Sequence, residues 1–153
     1  MELAGGSLRL RRLDDIAEAL PQRAASLTRL FLTRTRLGIS RTEVGVMRAV
    51  STKPQRITEL AAAEGVTQPA ITLLVNRLQD RGWVAREPDA RDARAVLVRL
   101  TTAGRQIFDA LRAEYRALVH EEMAMLDDDD VETLARAVEI LDGLIARVEG
   151  REP

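Results

Sequence analysis

Apolar residues recur at helical spacing over most of this chain, and one stretch switches to β-rich runs. Leu10, Leu13, Ile16, Ala17 and Leu20 form a first stripe, which Leu27, Leu30 and Phe31 resume after Pro21. A proline inside a helix costs about 3 kcal/mol or more, so the pattern predicts a kink, or a break and restart, at Pro21. Gly38 ends this element. Ser40-Arg41-Thr42-Glu43 has the form of a capping box and opens a short helix carrying Val44, Met47 and Val50. Lys53-Pro54-Gln55 reads as a turn. The next helix is capped by Thr58 and ended by Gly65, and Val66 plugs the corner after it. Thr67 caps the helix that follows, which accepts Pro69 in its first turn, runs to about Asp80 and closes at Gly82. Ile71, Leu74, Val75 and Leu78 give it a core face. Pro69, Thr72, Leu73, Asn76, Arg77 and Asp80 lie on the opposite face, with Gln68 at the tip.

Beyond Gly82 the period changes. Trp83 to Arg86 and Val96 to Leu100 are β-rich runs, separated by a polar tip from Glu87 to Arg94 that is too long for a tight turn. Helical spacing then returns. Thr102 caps a long helix through Ile107, Leu111, Tyr115 and Leu118, ending near Leu126. Asp127 to Asp130 suit the start of a last helix, where carboxylates cap free N–H groups and meet the positive end of the dipole. Val131, Leu134, Val138, Leu141 and Ile145 form its stripe. The predicted fold is mainly α with a small β-hairpin wing: a winged helix-turn-helix core over residues 38–101, flanked by dimerisation helices over residues 1–37 and 102–153. One stripe before the core and two after it are more than one small domain can cover, which points to a homodimer.

Short polar groups at the N-terminal end of an exposed second helix are what reaching base edges in a major groove requires. Thr67, Gln68, Pro69, Ala70 and Thr72 stand there, with Asn76 and Arg77 further along to meet phosphate. Arg91 and Arg94 at the hairpin tip suit the negative potential of a minor groove, and Asp92 suits pairing with an arginine so as to fix its rotamer. An ordinary amphipathic helix and a solvated loop of mixed charge would use the same residue types.

From Ser40 to Gly104 the chain resembles the MarR family of bacterial transcription regulators. The resemblance rests on Ile57-Thr58-Glu59-Leu60-Ala61, on Val66-Thr67-Gln68-Pro69-Ala70-Ile71-Thr72, and on Leu78 through Arg86. It extends over Asp92-Ala93-Arg94, Val98-Arg99-Leu100-Thr101 and Gly104. It implies a homodimeric winged helix that binds double-stranded DNA at a pseudo-palindromic operator, more often as a repressor released by a small aromatic ligand. Ala93 and Leu73 stand where the family often carries basic residues, which removes two possible DNA contacts. The resemblance also implies a pocket between the dimer helices and the DNA-reading region, with Met47, Trp83, Tyr115 and His120 as candidates for its lining. A winged helix used only for protein contacts is the alternative function.

Composition narrows the chemistry. With no cysteine, disulfide frameworks, thiol redox sensing and Cys-based zinc sites are excluded. The one histidine lies in His120-Glu121-Glu122-Met123-Ala124, which lacks the second histidine of a zinc-protease motif. No nucleophile–base pair or Gly-rich phosphate loop is present, so no catalytic residue, metal ligand or cofactor is expected. No apolar run reaches the roughly 18 residues of a membrane span, and Met1 to Ser7 lacks a signal-peptide core, so a cytoplasmic protein is expected. The net charge is −1, unusual for a DNA binder, but it is segregated. Seven arginines fall between Arg77 and Arg105, whereas Ala117 to Ala135 carries acidic charges alone.

Overall fold

Helix ends set by local hydrogen bonding punctuate the chain. The computed structural model describes residues 2–34, 38–89, 92–148 and 150, and their side chains except those of residues 2–6, 93 and 94. The elements run α1 (Glu2–Arg34), α2 (Arg41–Thr52), β1 (Gln55–Arg56), α3 (Ile57–Glu64), α4 (Gln68–Asp80), β2 (Val84–Asp89), β3 (Asp92–Leu100), α5 (Thr102–Met123) and α6 (Asp128–Val148). They divide into two compact units, Met1–Tyr115 and Arg116–Pro153.

The capping box of α2 forms as expected. Ser40 Oγ accepts from the Glu43 N–H at 3.3 Å, and Glu43 Oε2 accepts from the Ser40 N–H at 2.8 Å. The cap of α3 lies two residues earlier than Thr58. Arg56 is the capping position, and the Glu59 carboxylate accepts its N–H at 2.8 Å. Glu59 thus does from within the first turn what a threonine hydroxyl would do from outside it. Both α3 and α4 end in paired bonds closed by a left-handed glycine. Gly65, at φ 64, bonds to Ala62 O while Val66 N reaches Ala61 O. Gly82, at φ 72, bonds to Gln79 O while Trp83 N reaches Leu78 O.

Three predicted features are corrected. α1 is one helix through Pro21, without the break and restart. Pro21 is exposed, so water can satisfy the carbonyl that its missing N–H leaves free. Gln55 is not part of a turn; with Arg56 it forms a third strand, and the sheet order is β1-β3-β2. Two residues carry no alternation to read, and the strand exists only because β3 pairs with it, Gln55 to Val98 and Arg56 to Leu97. The wing strands also extend through most of the polar tip, pairing antiparallel from Val84↔Leu100 to Asp89↔Asp92 with an irregularity between Pro88 and Asp89.

The core lies where α2, α3, α4, the sheet and the start of α5 meet. Val46, Met47 and Val50 of α2 pack with Leu60 of α3, with Ile71, Leu74, Val75 and Leu78 of α4, with Val84 and Val98 of the sheet, and with Phe108. The predicted core face of α4 is therefore the observed one. The last helix is opened by Asp127, whose Oδ1 accepts from the Asp130 N–H at 2.8 Å. Its stripe finds no such interior: α6 buries no residue, and Val131, Leu134, Val138 and Ile145 stay exposed.

The junction between sheet and α5 is closely packed. Thr101, rather than Thr102, caps α5: its Oγ1 accepts from the Gly104 N–H at 2.9 Å and donates to Gly82 O at 2.6 Å. Thr101 N also bonds to Trp83 O at 3.0 Å. A Cβ on Gly104 would collide with the Trp83 carbonyl. Alanine normally improves a helix by about 1 kcal/mol over glycine. Gly104→Ala should instead lower stability by about 1–3 kcal/mol, because the obstacle is backbone that cannot step aside. Urea denaturation of the two proteins checks this sign.

Candidate nucleic-acid interface

The exposed side of α4 is built by its cap and its core face together. Thr67 is extended, at φ −73 and ψ 152, and its Oγ1 accepts from the Ala70 N–H at 3.4 Å. Burial of Ile71, Leu74, Val75 and Leu78 turns Gln68, Pro69, Ala70, Thr72, Leu73, Asn76 and Arg77 outward, all of them exposed. Two polar groups there are already engaged. Thr72 Oγ1 donates to Gln68 O at 2.8 Å, so it presents only acceptor lone pairs. Asn76 Oδ1 likewise accepts from Arg86 Nη2 at 2.7 Å.

The wing is anchored from below. Arg56 Nε and Nη2 donate to Asp89 Oδ2 at 3.0 and 2.6 Å, and Nη2 lies 3.8 Å from Asp92 Oδ2. Asp89 is 9% exposed, so its charge is held in a largely dry site and needs this partner. The hydrogen bond that Arg56 donates to Asp89 raises its guanidinium pKa. Arg99 Nε donates to Glu87 Oε2 at 2.7 Å across the two wing strands. At the root, Arg86 Nη1 donates to Gln79 Oε1 at 2.9 Å, tying β2 to α4. Arg91 lies outside the described residues, and so does the side chain of Arg94, whose backbone belongs to β3. The pairing of Asp92 with Arg94 therefore falls outside the described side chains. Asp92 is exposed and within 3.8 Å of Arg56.

Arg56, Asp89 and Arg86 were not among the residues singled out from the sequence. Arg56 sat in what read as a turn boundary, and its partner is 33 residues away, so no local pattern marks the pair. Arg86 was legible only as the end of a β-rich run.

The four pocket candidates have different surroundings. Met47 is fully enclosed in the core. Trp83 is half-buried against that core, with the Arg81 guanidinium 4.9 Å from its ring centroid. Arg81 Nη1 in turn lies 3.8 Å from the buried Glu43 carboxylate. Tyr115 meets Phe31 with ring centroids 6.2 Å apart, and burial, followed by the charge of Glu114, raises its phenol pKa. His120 is exposed on α5 in the second unit. An open cleft of about 530 Å³ lies elsewhere in the first unit, lined by Ala25, Arg29, Leu32, Thr33, Ile39, Ser40 and Arg41. Met47, Trp83 and Tyr115 do not line it.

Among the described residues no group of three or more His, Asp or Glu is placed to hold a metal ion, and no helix is long and apolar enough to cross a membrane. A helix-turn-helix with an anchored hairpin is the frame of many DNA readers, and comparison with known proteins narrows it. The family model described as MarR family matches residues 37–95, from just before α2 into β3. A crystal structure of the transcriptional regulator BldR from Sulfolobus solfataricus superposes with a TM-score of 0.65 at 30% identity, over 96% of this chain and 99% of that one. The chain belongs to the MarR family. A mutant of MarR from Escherichia coli gives a TM-score of 0.74 at 26% identity, over 82% of this chain and 95% of that one. In sequence, the multiple antibiotic resistance protein MarR of Escherichia coli is 38% identical over 77 residues, 50% of this chain and 54% of that protein. An uncharacterized HTH-type transcriptional regulator of Mycobacterium leprae is 33% identical over 86 residues, 56% of this chain and 60% of that protein. The chain thus spans between half and three-fifths of these curated relatives.

The anchoring of this MarR-family wing can be tested without DNA. Arg56→Ala removes this cation from beside the buried Asp89 carboxylate, so amide exchange across Val84–Asp89 and Asp92–Leu100 should rise by about tenfold or more. α4, whose core face is untouched, should keep its protection. Equal protection of the wing in both proteins would show that strand pairing alone holds it.

Proposed function

We propose that this protein is a sequence-specific DNA-binding transcription regulator that acts as a homodimer, a repressor released by a small organic acid. One observation carries the reading. The outward face of α4 carries the hydrogen-bonding side chains Gln68, Thr72, Asn76 and Arg77, begins at a capped N-terminus, and stands beside a hairpin anchored by its own ion pair. Such a face offers hydrogen-bonding groups and outward N–H groups to base edges, while the wing fixes how deep the helix sits. The resemblance of the frame to MarR and BldR supports the same function.

In this reading residues 38–101 touch DNA and residues 1–37 and 102–153 pair the subunits. The exposed apolar residues of α1 (Leu10, Leu13, Ile16) and of α6 (Leu134, Val138, Ile145) support the pairing, since each helix carries a stripe that its own unit leaves in water. Arg29 and Arg41 beside apolar Ala25, Leu32 and Ile39 suit a carboxylate on a small hydrophobic body, and this cleft is the effector site we favour over Met47, Trp83, Tyr115 and His120.

Selection of bound duplexes from a random library is the direct test. It should yield a pseudo-palindrome whose half-sites lie about one helical turn, ~10 base pairs, apart. On that sequence Gln68→Ala or Thr72→Ala should cost about 1–3 kcal/mol, with less effect on scrambled DNA. Thr72, with its proton already donated, should favour a base that offers an amino group. Arg77→Ala should weaken all duplexes alike and flatten the salt dependence by about one unit, and Arg94→Ala should add a loss where A·T pairs flank the half-site. A library that yields no enriched sequence would sink the proposal in favour of a protein-contact module.

Assembly has its own test. Val138 is 57% exposed in the single chain. Val138→Asp at a true surface position would change stability by no more than about 0.5 kcal/mol. At a subunit interface it should instead yield a monomer in sedimentation, with DNA affinity reduced by about a hundredfold or more. A dimer that survives this change would place the interface elsewhere.

A further inference from the structure

The arginines of the first unit differ in what holds them. Arg56 is bound to Asp89, Arg81 lies by Glu43, and Arg99 is bound to Glu87. Each of these cations has a carboxylate beside it. Arg86 is exposed and held just as firmly, at 2.7 and 2.9 Å, but by the neutral amide oxygens of Asn76 and Gln79. Amide oxygens fix the plane of a guanidinium without removing its charge. Two of its N–H groups are occupied and the rest of its donor fork stays available.

Position gives this arrangement its meaning. Asn76 stands one helical turn beyond Thr72 on the exposed face of α4, and Gln79 follows near the end of the same helix. Arg86 lies on β2, at the root of the wing. The bonds therefore cross from α4 to the hairpin, and in the DNA-binding reading a strand of duplex passing between α4 and the wing would bring its backbone there. A guanidinium already oriented there loses little further freedom when an oxyanion arrives. We propose that Arg86 is a preformed clamp for a backbone phosphate of the bound duplex, and that Asn76 serves the site by orienting Arg86 and not by touching DNA itself. The inference rests on the DNA-binding reading above and adds a contact that the sequence did not mark.

The competing role is a structural strut between α4 and β2. Salt titrations of the full chain on a scrambled-sequence duplex separate the two. Arg86→Gln keeps hydrogen-bonding capacity but removes the charge. It should lower affinity about tenfold and reduce the slope of log K against log salt by about one unit per subunit. Arg86→Lys restores the charge, so it should recover the parent slope with only part of the affinity. Asn76→Ala should lower affinity in the parent background with the slope unchanged, and should add nothing in the Arg86→Gln background. A parent chain that binds no duplex removes the DNA-binding reading and this site with it. A parent that binds, with an Arg86→Gln variant that keeps its salt slope, overturns the clamp alone. Additive losses from Asn76→Ala and Arg86→Gln would return Asn76 to direct contact and overturn its orienting role.

Discussion

The backbone around Trp83 is the constraint on which the first unit depends. Its N–H closes α4 by bonding to Leu78 O, and its carbonyl accepts the Thr101 N–H. Thr101 then reaches back to Gly82 O and forward to Gly104 N, which starts α5. One peptide neighbourhood thus fixes the end of the recognition helix, the root of both wing strands and the start of the long helix. Gly82 is needed for the left-handed turn, and Gly104 for the close approach of α5 to the Trp83 carbonyl. A displacement at this point would move helix and wing relative to each other, and any surface that must match a duplex would lose its register.

Charge is distributed by the same logic. A net charge of −1 gives the protein little general attraction to polyanions. What matters is which cations remain uncompensated. Arg56, Arg81 and Arg99 are consumed in holding strands and helices, whereas Arg86 is held by amides. Arg77 has no ion pair among the described residues and faces outward on α4. Arginines held by carboxylates and arginines that have none beside them are thus interleaved along a few residues of sequence. A count of basic residues therefore overstates the charge this surface offers to a polyanion.

The helices outside the core obey a different constraint. α6 is amphipathic and buries none of its residues, and α1 exposes Leu8, Leu10, Leu13 and Ile16. Apolar surface in water is worth about 25 cal/mol per Å² once covered. Stripes of this length on two helices therefore supply a strong drive for association. The family resemblance and these uncovered stripes point to the same assembly from independent directions.

The sequence by itself determined most features whose signal is local. The capping box at Ser40, the cap at Thr67, the glycine turns at Gly65 and Gly82 and the core face of α4 rest on contacts within a few residues. The motifs of the winged helix were legible for the same reason, because cap, turn and stripe recur at fixed short spacings. Tertiary structure alone decided the rest. β1 is two residues long and exists because β3 lies beside it. Thr101 rather than Thr102 caps α5 because its hydroxyl also bonds to Gly82, 19 residues back. The Arg56–Asp89 anchor joins residues 33 apart, and Met47 proved to be core because the helices enclose it completely. Such pairings have no period in the sequence; they depend on where folding brings distant backbone and side chains together.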